Sequence, residues 1–475
     1  MQISRLLLFL QIFIILMKVN NLNFFIMPRK KGLSVAKPSA RKITPPQLLK
    51  GMKDILPEEQ KYWDFIKEKA KKIAETYGFE YIDTPILEST SLFIRSVGKN
   101  TDIVEKEMFS FVDQGGDNIC ARPEMTASIV RAYNEHGMIN RPQPVKLYSI
   151  GPVFRHNKPQ AGRYRQFNQW SFEVIGDNSP VIDAELISLQ YHLFKDIGLD
   201  SSLHINSVGC PVCRPQYSLQ LQEYYRTRKK NLCDNCKRRF SKNPIRLLDC
   251  KEKACGEMVA DAPQMVDCLC EDCRAHFVKV LEHLDAAEIP YTLDPKIVRG
   301  LDYYVRTAFE FFPISNAQEK IESQSAISGG GRYDGLVQLL GGREEIGACG
   351  FAGGLERIIL AMKENNVQIP ETATADVFLA QLGESARKKS LKLLEDLRTA
   401  GLKVRANLSK SSLSNQLGTA AKMGVKFTLI YGQKEVIDNT ILMRDMSSSS
   451  QEIVDIKKIV SEINKRMARL NKDNV

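Results

Sequence analysis

Between Val145 and Gly176 the chain reads VKLYSIGPVFRHNKPQAGRYRQFNQWSFEVIG. Arg155, Gln169 and Glu173 supply a cation, a neutral amide and an anion, and Lys158, Arg163 and Arg165 add positive charge between them. A floor that carries both charges and an amide suits a zwitterion or a nucleotide. The plainer alternative is a solvated hairpin face with incidental charges. A second group is built of sulfur. Eight of the eleven cysteines fall in spaced pairs: Cys210/Cys213, Cys233/Cys236, Cys250/Cys255 and Cys270/Cys273. Three pairs are C-x2-C, the spacing that lets two thiolates share one tetrahedral Zn2+. Eight thiolates fill two four-thiolate sites, or one site with leftovers, with Cys268 able to substitute for a neighbour. Reduced cysteines in a small helical domain are the third reading.

The elements that must position these groups follow from periodicity. Tyr148, Ile150 and Phe154 alternate with Ser149, Gly151 and Arg155, and Trp170, Phe172 and Val174 alternate with Gln169, Ser171 and Glu173. A period of two predicts a half-buried hairpin with its polar groups on one face. Upstream, apolar residues at 62, 65, 66, 70, 73 and 77 predict an amphipathic helix over Glu58–Tyr77, closed by Gly78. FEYIDTPIL, with Pro85, reads as an edge or interface strand. Met108–Val112 reads as a strand, Gly115-Gly116 as a turn, Asp183–Ile197 as a helix and LHINSVG as a strand. Composition shifts abruptly from Cys210 to about Cys273, and strands are expected again in RGLDYYVRTAFEFF, SGGGRYDGL and GACGFAGGLERIILAM. Past a linker over Asn365–Ala375, strands ADVFLAQ, LKVRANL, KFTLIYG and NTILMRD alternate with helices as a separate α/β module.

A chain of 475 residues, 43% of them hydrophobic, can bury several cores. The net charge of +11 favours a polyanionic partner, nucleic acid foremost. The apolar run Leu6–Met17 is too short to span a bilayer, and no small-x-small cleavage site follows it before Asn20. Met27 reads as a more natural start, with residues 1–26 as upstream read-through. From Pro28 to Lys50 there are seven Lys or Arg and no acidic residue, so 28–48 reads as a disordered basic arm.

From Gly51 onward these elements resemble a class II aminoacyl-tRNA synthetase, and within that class the histidyl-tRNA synthetases. The helix 58–77 with Gly78, Phe79 and Pro85 resembles motif 1, the hairpin motif 2, and Gly353-Gly354-Leu355-Glu356-Arg357 motif 3. Arg122-Pro123-Glu124-Met125-Thr126 and Arg299-Gly300-Leu301-Asp302-Tyr303-Tyr304 resemble stretches peculiar to the histidine enzymes, as do GMKDILP at 51–57 and GGRYDGL at 330–336. The resemblance implies an α+β fold: a class II antiparallel sheet flanked by helices, a small helical insertion domain and a C-terminal α/β anticodon-binding domain. The implied boundaries are a tail over 1–48, catalytic parts at 49–209 and 291–365, the insertion at 210–290 and the anticodon-binding module at 373–475.

It also implies a reaction. The carboxylate of L-histidine attacks the α-phosphorus of ATP, entering with Mg2+, and the histidyl group then passes to the 3' end of tRNA(His). Two anions approach each other, so cations must neutralise charge on the phosphoryl oxygens. By resemblance Arg155 binds the α-phosphate, Arg357 clamps the distal phosphates, Arg299 is the family's own catalytic arginine, and Arg163 joins the ATP-binding loop. Glu124, Gln169 and Glu173 match histidine-binding positions, with Thr126, Tyr303 and Tyr304 completing the pocket. Tyr303 and Tyr304 read as adjacent strand residues that face opposite ways, so one is expected to line the pocket directly and the other to be shared with a loop. A homodimer, a cytoplasmic setting and no membrane association are implied as well, and that setting argues against disulfides.

Two departures stand out. Asn157 replaces an acidic residue two positions after the motif 2 arginine, which affects an adenine or tRNA-end contact. Met125 stands where the family often has glycine and is expected to narrow the pocket mouth. The cysteines fall in the insertion domain, which does not generally require metal in the family, so Zn2+ there is a structural expectation specific to this chain. A non-catalytic paralogue, such as an ATP phosphoribosyltransferase regulatory subunit, is the alternative. It would typically lack the C-terminal module and lose pocket residues. An RNA-binding zinc protein would leave the pocket constellation unexplained.

Overall fold

The computed structural model describes residues 45–99, 101–250, 252–314, 326–370, 375–409 and 412–472. The readings of residues 1–26 and of most of the basic arm lie outside the described residues. The helix α1, Pro57–Thr76, begins with Pro at its first turn and carries Glu58 and Glu59 there, where a rigid φ and negative charge both favour a helix start. Its apolar stripe, Trp63, Ile66, Ala70, Ile73 and Ala74, is buried.

The central sheet has eight strands: β1 Glu80–Tyr81, β2 Val145–Phe154, β3 Gln166–Ile175, β4 Ser201–Ser207, β5 Tyr291–Leu293, β6 Val305–Pro313, β7 Ser328–Arg332 and β8 Ala348–Gly354. Their spatial order is β1-β2-β3-β8-β7-β6-β4-β5. The six inner strands pair antiparallel, and the short edge strands β1 and β5 pair parallel. One face packs against α1 and the helix α3, Pro180–Ile197, through Trp170, Phe172, Val174, Phe309, Phe311 and Phe351. Burying side chains of this size stabilises the fold by about 1.5–3 kcal/mol each.

The hairpin faces separate as expected: Tyr148, Trp170, Phe172 and Val174 enter this core. Its polar face differs from a half-buried surface, because Ser149, Gln169, Ser171 and Glu173 are all buried. The helix α2, Thr126–Glu135, and a second apolar cluster containing Met125, Tyr303, Tyr304 and Tyr333 account for that cover. A three-stranded sheet, Leu87–Ser89, Phe109–Val112 and Asn118–Ala121, stands beside it.

Residues 299–304 differ from the strand expected of them. They form bends and turns, and the strand starts only at Val305. Arg299 takes φ 28, a left-handed value outside the extended region of regular strand. Alternation therefore does not separate Tyr303 from Tyr304; both are buried, with ring centroids 4.7 Å apart.

The segment between β4 and β5 contributes helices α4 Arg214–Arg226, α5 Asp234–Lys242 and α6 Glu271–Ala286, the last packing Phe277, Val280 and Leu284 into the catalytic core. All eight paired cysteines belong to the small core of the insertion. The C-terminal module is a five-stranded sheet in the order Val404–Ala406, Val377–Gln381, Phe427–Tyr431, Thr440–Asp445, Gln451–Asp455. The last of these strands, and the helix Gln433–Asp438, carry no clear period and were not expected from sequence.

Candidate active site and cysteine centres

A cavity of about 310 Å³ opens over the middle of the central sheet. Four arginines border it: Arg155, Arg163, Arg299 and Arg357. Arg155 follows β2 and donates Nε to Pro123 O at 2.7 Å, with its guanidinium 5.6 Å from the Phe167 ring centre. Burial pushes its pKa down, which raises its appetite for an anion. Arg357 lies in the first turn of the helix α7, Leu355–Glu364, and donates Nη1 to Ala326 O at 2.9 Å. Burial and the neighbouring Arg163 and Arg155 push its pKa down as well. The adjacent Glu356 accepts from the Asn168 backbone N–H at 2.9 Å, which ties α7 to β3. Arg299 reaches the cavity from the loop before β6 and pairs with Glu310 Oε1 at 2.5 Å. Gly329 leaves room for it, since a Cβ there would lie 2.3 Å from Arg299 Nη1. Such a ring of cations, held in a concave site, is arranged for a polyphosphate.

Behind the cavity floor lies a buried acidic network. Glu173 accepts from Thr126 Oγ1 at 2.7 Å, Ser171 Oγ at 2.6 Å and the Tyr333 hydroxyl. Burial pushes its carboxyl up to about 7, against the pull of those three donors. β8 approaches so closely that a Cβ on Gly350 would sit 1.7 Å from Glu173 Oε2. Glu124 caps the start of α2, accepting from the backbone N–H of Thr126 at 2.6 Å and of Ala127 at 2.9 Å. Burial raises its pKa, opposed by those two donors and by Arg155. Gln169 borders the cavity, and its buried Oε1 has no hydrogen-bond partner, an acceptor left open beside the arginines.

Of the residues expected at the site, Arg155, Arg163, Gln169, Arg299 and Arg357 border the cavity, as does Asn157. Glu124, Thr126, Glu173, Tyr303 and Tyr304 gather behind its floor. Met125 does not narrow the mouth: it is 1% exposed and packs in the core below Gly151. Glu310, Tyr333 and Asp249 were missed. Glu310 and Tyr333 sit within the quoted motif stretches, so inspection of those stretches could have found them. Asp249 comes from the insertion, and no local signal placed it at the cavity.

The GGRYDGL stretch is structural in large part. Arg332 is fully buried and pairs with Asp183 at 2.6 Å and Asp334 at 2.8 Å, while donating to Asp177 O. These bonds lock the strand end to α3.

The cysteines gather as two quartets, Cys210/Cys213/Cys270/Cys273 and Cys233/Cys236/Cys250/Cys255, with the sulfurs of each within 4.8 Å of one another. Sγ–Sγ separations include 3.6 Å for Cys210–Cys213 and 3.8 Å for Cys210–Cys270, Cys213–Cys273 and Cys233–Cys250. A disulfide needs about 2.05 Å, whereas four thiolates on a tetrahedral Zn2+ at about 2.3 Å stand about 3.8 Å apart. Backbone N–H groups point at the sulfurs, from Cys210 to Cys213 at 3.1 Å and from Cys233 to Cys255 at 3.3 Å. The donor set thus fits a thiophilic metal. Cys268 stands outside both quartets and bonds Gln220.

Among the described residues no helix is long and apolar enough to cross a membrane. The profile of the family described as histidyl-tRNA synthetase matches residues 51–210 and 253–358, and that of the anticodon binding domain matches 376–466. A histidine–tRNA ligase of Pelotomaculum thermopropionicum is 45% identical over 419 residues, covering 88% of this chain and 97% of its own. One from Dehalococcoides mccartyi is 44% identical over 420 residues, covering 88% and 99%. The crystal structure of apo S. aureus histidyl-tRNA synthetase superposes with a TM-score of 0.74 at 34% identity, covering 88% of this chain and 99% of that one. With the arginine-ringed cavity and a C-terminal anticodon-binding module in the same chain, these matches establish that the protein belongs to the histidyl-tRNA synthetase family.

Proposed function

We propose that the chain is a histidine–tRNA ligase that activates L-histidine with ATP and transfers it to the 3' end of tRNA(His). The cavity bordered by Arg155, Arg163, Arg299 and Arg357 over a buried acidic floor carries this reading. ATP enters as its magnesium complex. Arg155 and Arg299 neutralise the α-phosphate as the histidine carboxylate attacks, and Arg357 with Arg163 holds the distal phosphates. Gln169, with its open acceptor, receives a substrate N–H. Glu124 and Glu173 supply negative potential toward the substrate ammonium, and Thr126, Tyr303 and Tyr304 shape the imbalance of donors and acceptors that selects imidazole.

The division into catalytic parts 49–209 and 291–365, insertion 210–290 and anticodon-binding module 373–475 accompanies this reading, as does a cytoplasmic location. Exposed Tyr81, Ile86, Leu87, Phe111 and Val112 support a homodimer through this side of the catalytic domain. Each cysteine quartet is read as one Zn2+ site, holding the small insertion core together.

Histidine-dependent exchange of pyrophosphate into ATP tests the assignment. Exchange lowered by about 10²- to 10³-fold in Arg299→Ala is the expected result. Wild-type protein that binds tRNA without exchange would overturn it and favour a non-catalytic paralogue.

A further inference from the structure

The loop that carries Arg299 is held by side chains of the cysteine-rich insertion, which touch Gly300, Asp302 and the Tyr304 carbonyl. The φ of 28 at Arg299 lies in the left-handed region, a conformation that an arginine keeps only where its surroundings over-determine it. On one side the Arg246 guanidinium lies against Gly300, where a Cβ would come within 3.4 Å of Nη1. Beside it, Asn243 Nδ2 donates to Asp302 Oδ1 at 3.2 Å. On the other side Arg214 donates Nη2 to Tyr304 O and Nε to Val208 O at 2.9 Å. The loop 299–304 is thus gripped at both ends by insertion side chains.

Each grip is a short step from a cysteine quartet. Arg214 directly follows Cys213, at the start of α4. Asn243 and Arg246 lie between Cys236 and Cys250, in the tight turn that follows α5. Arg246 is itself set by Asp249 at 3.6 Å and Asp102 at 3.9 Å, and Arg239 of α5 pairs with the same Asp102. Asp249, next to Cys250, also borders the catalytic cavity. The insertion core is small and contains all eight paired cysteines, so its shape depends on what joins them.

We propose that the two cysteine quartets, when loaded with metal, set the working position of Arg299, the Cys210/Cys213/Cys270/Cys273 quartet through Arg214 and the Cys233/Cys236/Cys250/Cys255 quartet through Asn243 and Arg246, so that metal loading of the insertion governs the rate of histidine activation. This rests on the readings of the quartets as Zn2+ sites and of Arg299 as the arginine on the α-phosphate. Arg214, Asn243 and Arg246 are positioning residues: they touch the loop, not the reacting atoms.

The test compares full-length wild type, Arg246→Met, Arg246→Lys and Cys236→Ser, with Lys237→Ala on the exposed side of α5 as control. Zinc per chain, Tm, and kcat and KM for ATP and histidine in pyrophosphate exchange are measured for each. Arg246→Met keeps both metals and its Tm but loses kcat by roughly 10- to 100-fold, with KM changed far less. Arg246→Lys recovers part of that loss, Cys236→Ser loses one zinc and a similar share of kcat, and Lys237→Ala matches wild type. Arg246→Met with wild-type kcat overturns the proposal, as does Cys236→Ser with one zinc and full activity. If Cys236→Ser does not fold, stepwise removal of zinc from wild type by a chelator replaces it: a rate that falls with the first zinc released supports the proposal, and an unchanged rate overturns it. Wild-type protein that exchanges normally without zinc sinks the metal reading, and wild-type protein with zinc but no exchange sinks the ligase reading.

Discussion

Arg299 and Glu310 meet as a close ion pair at the wall of the arginine-ringed cavity, Nη1 to Oε1 at 2.5 Å, with the guanidinium 5.2 Å from the Tyr304 ring centre. Burial pulls the Arg299 pKa down, but neighbouring Tyr304 and Glu310 outweigh that and raise it above the ordinary value, so the arginine stays charged. Arg299→Ala is expected to lower kcat for exchange by about 10²- to 10³-fold. Glu310→Gln keeps an acceptor but removes the charge, and costs less than about tenfold. Steady-state exchange kinetics check both, and a larger loss in the glutamate variant would refute this ordering.

Gly329 makes that geometry fit. A Cβ at 329 would meet Arg299 Nη1 at 2.3 Å and Glu310 Cγ at 2.9 Å. The guanidinium can swing away, so Gly329→Ala folds, but with its arginine displaced. A kcat lowered roughly 10- to 100-fold, with little change in Tm, is the expected outcome. Wild-type turnover in this variant would show that the arginine is not needed where it stands.

Glu173 gives a pH prediction. Its carboxyl is raised from 4.5 to about 7, so the folded chain retains a proton that the unfolded chain has released between those values. The stability from the protonated form is complete below pH 4.5 and is lost as pH climbs through about 7. Relative to Glu173→Gln, wild type should lose about 3 kcal/mol between pH 4.5 and pH 8. Urea denaturation of both proteins across that range measures it, and parallel stability curves would exclude the shift. The same substitution should raise KM for histidine.

Arg332 is a stability determinant. Arg332→Met would leave Asp183 and Asp334 buried without their shared cation, at a cost of about 3–5 kcal/mol. Thermal unfolding should show the loss before any change in the kinetics of the protein that remains folded.

The quartets separate the cysteines by role. Cys268→Ser should leave zinc content unchanged, since Cys268 faces Gln220, whereas Cys213→Ser should remove one zinc per chain. Equal metal loss in both variants would contradict the partition.

Much of the site was legible before any coordinates. The period-two pattern of Tyr148 to Val174 placed Gln169 and Glu173 on one face, because a strand alternates its side chains whatever surrounds it. Arg155, Arg299 and Arg357 were named instead by the resemblance of short stretches around them to family motifs, not by periodicity. Tyr303 and Tyr304 were misjudged because aromatic residues before a strand look like part of it, and only the backbone at Arg299 shows the turn. Met125 was misplaced because a position in sequence does not say whether a side chain points to a cavity or into a core.

By itself the sequence determined the alternating hairpin, the amphipathic helix α1 and the paired cysteine spacing, all properties of neighbours within a few residues. Tertiary structure alone decided which pairs join: Cys210/Cys213 meets Cys270/Cys273 about 60 positions away, while the inner pairs close on each other. It likewise buried Glu173 under α2 and β8, brought Asp249 to the cavity wall and set Arg299 against Glu310. Those are contacts between distant segments, created when the sheet packs and water leaves, and no local pattern encodes them.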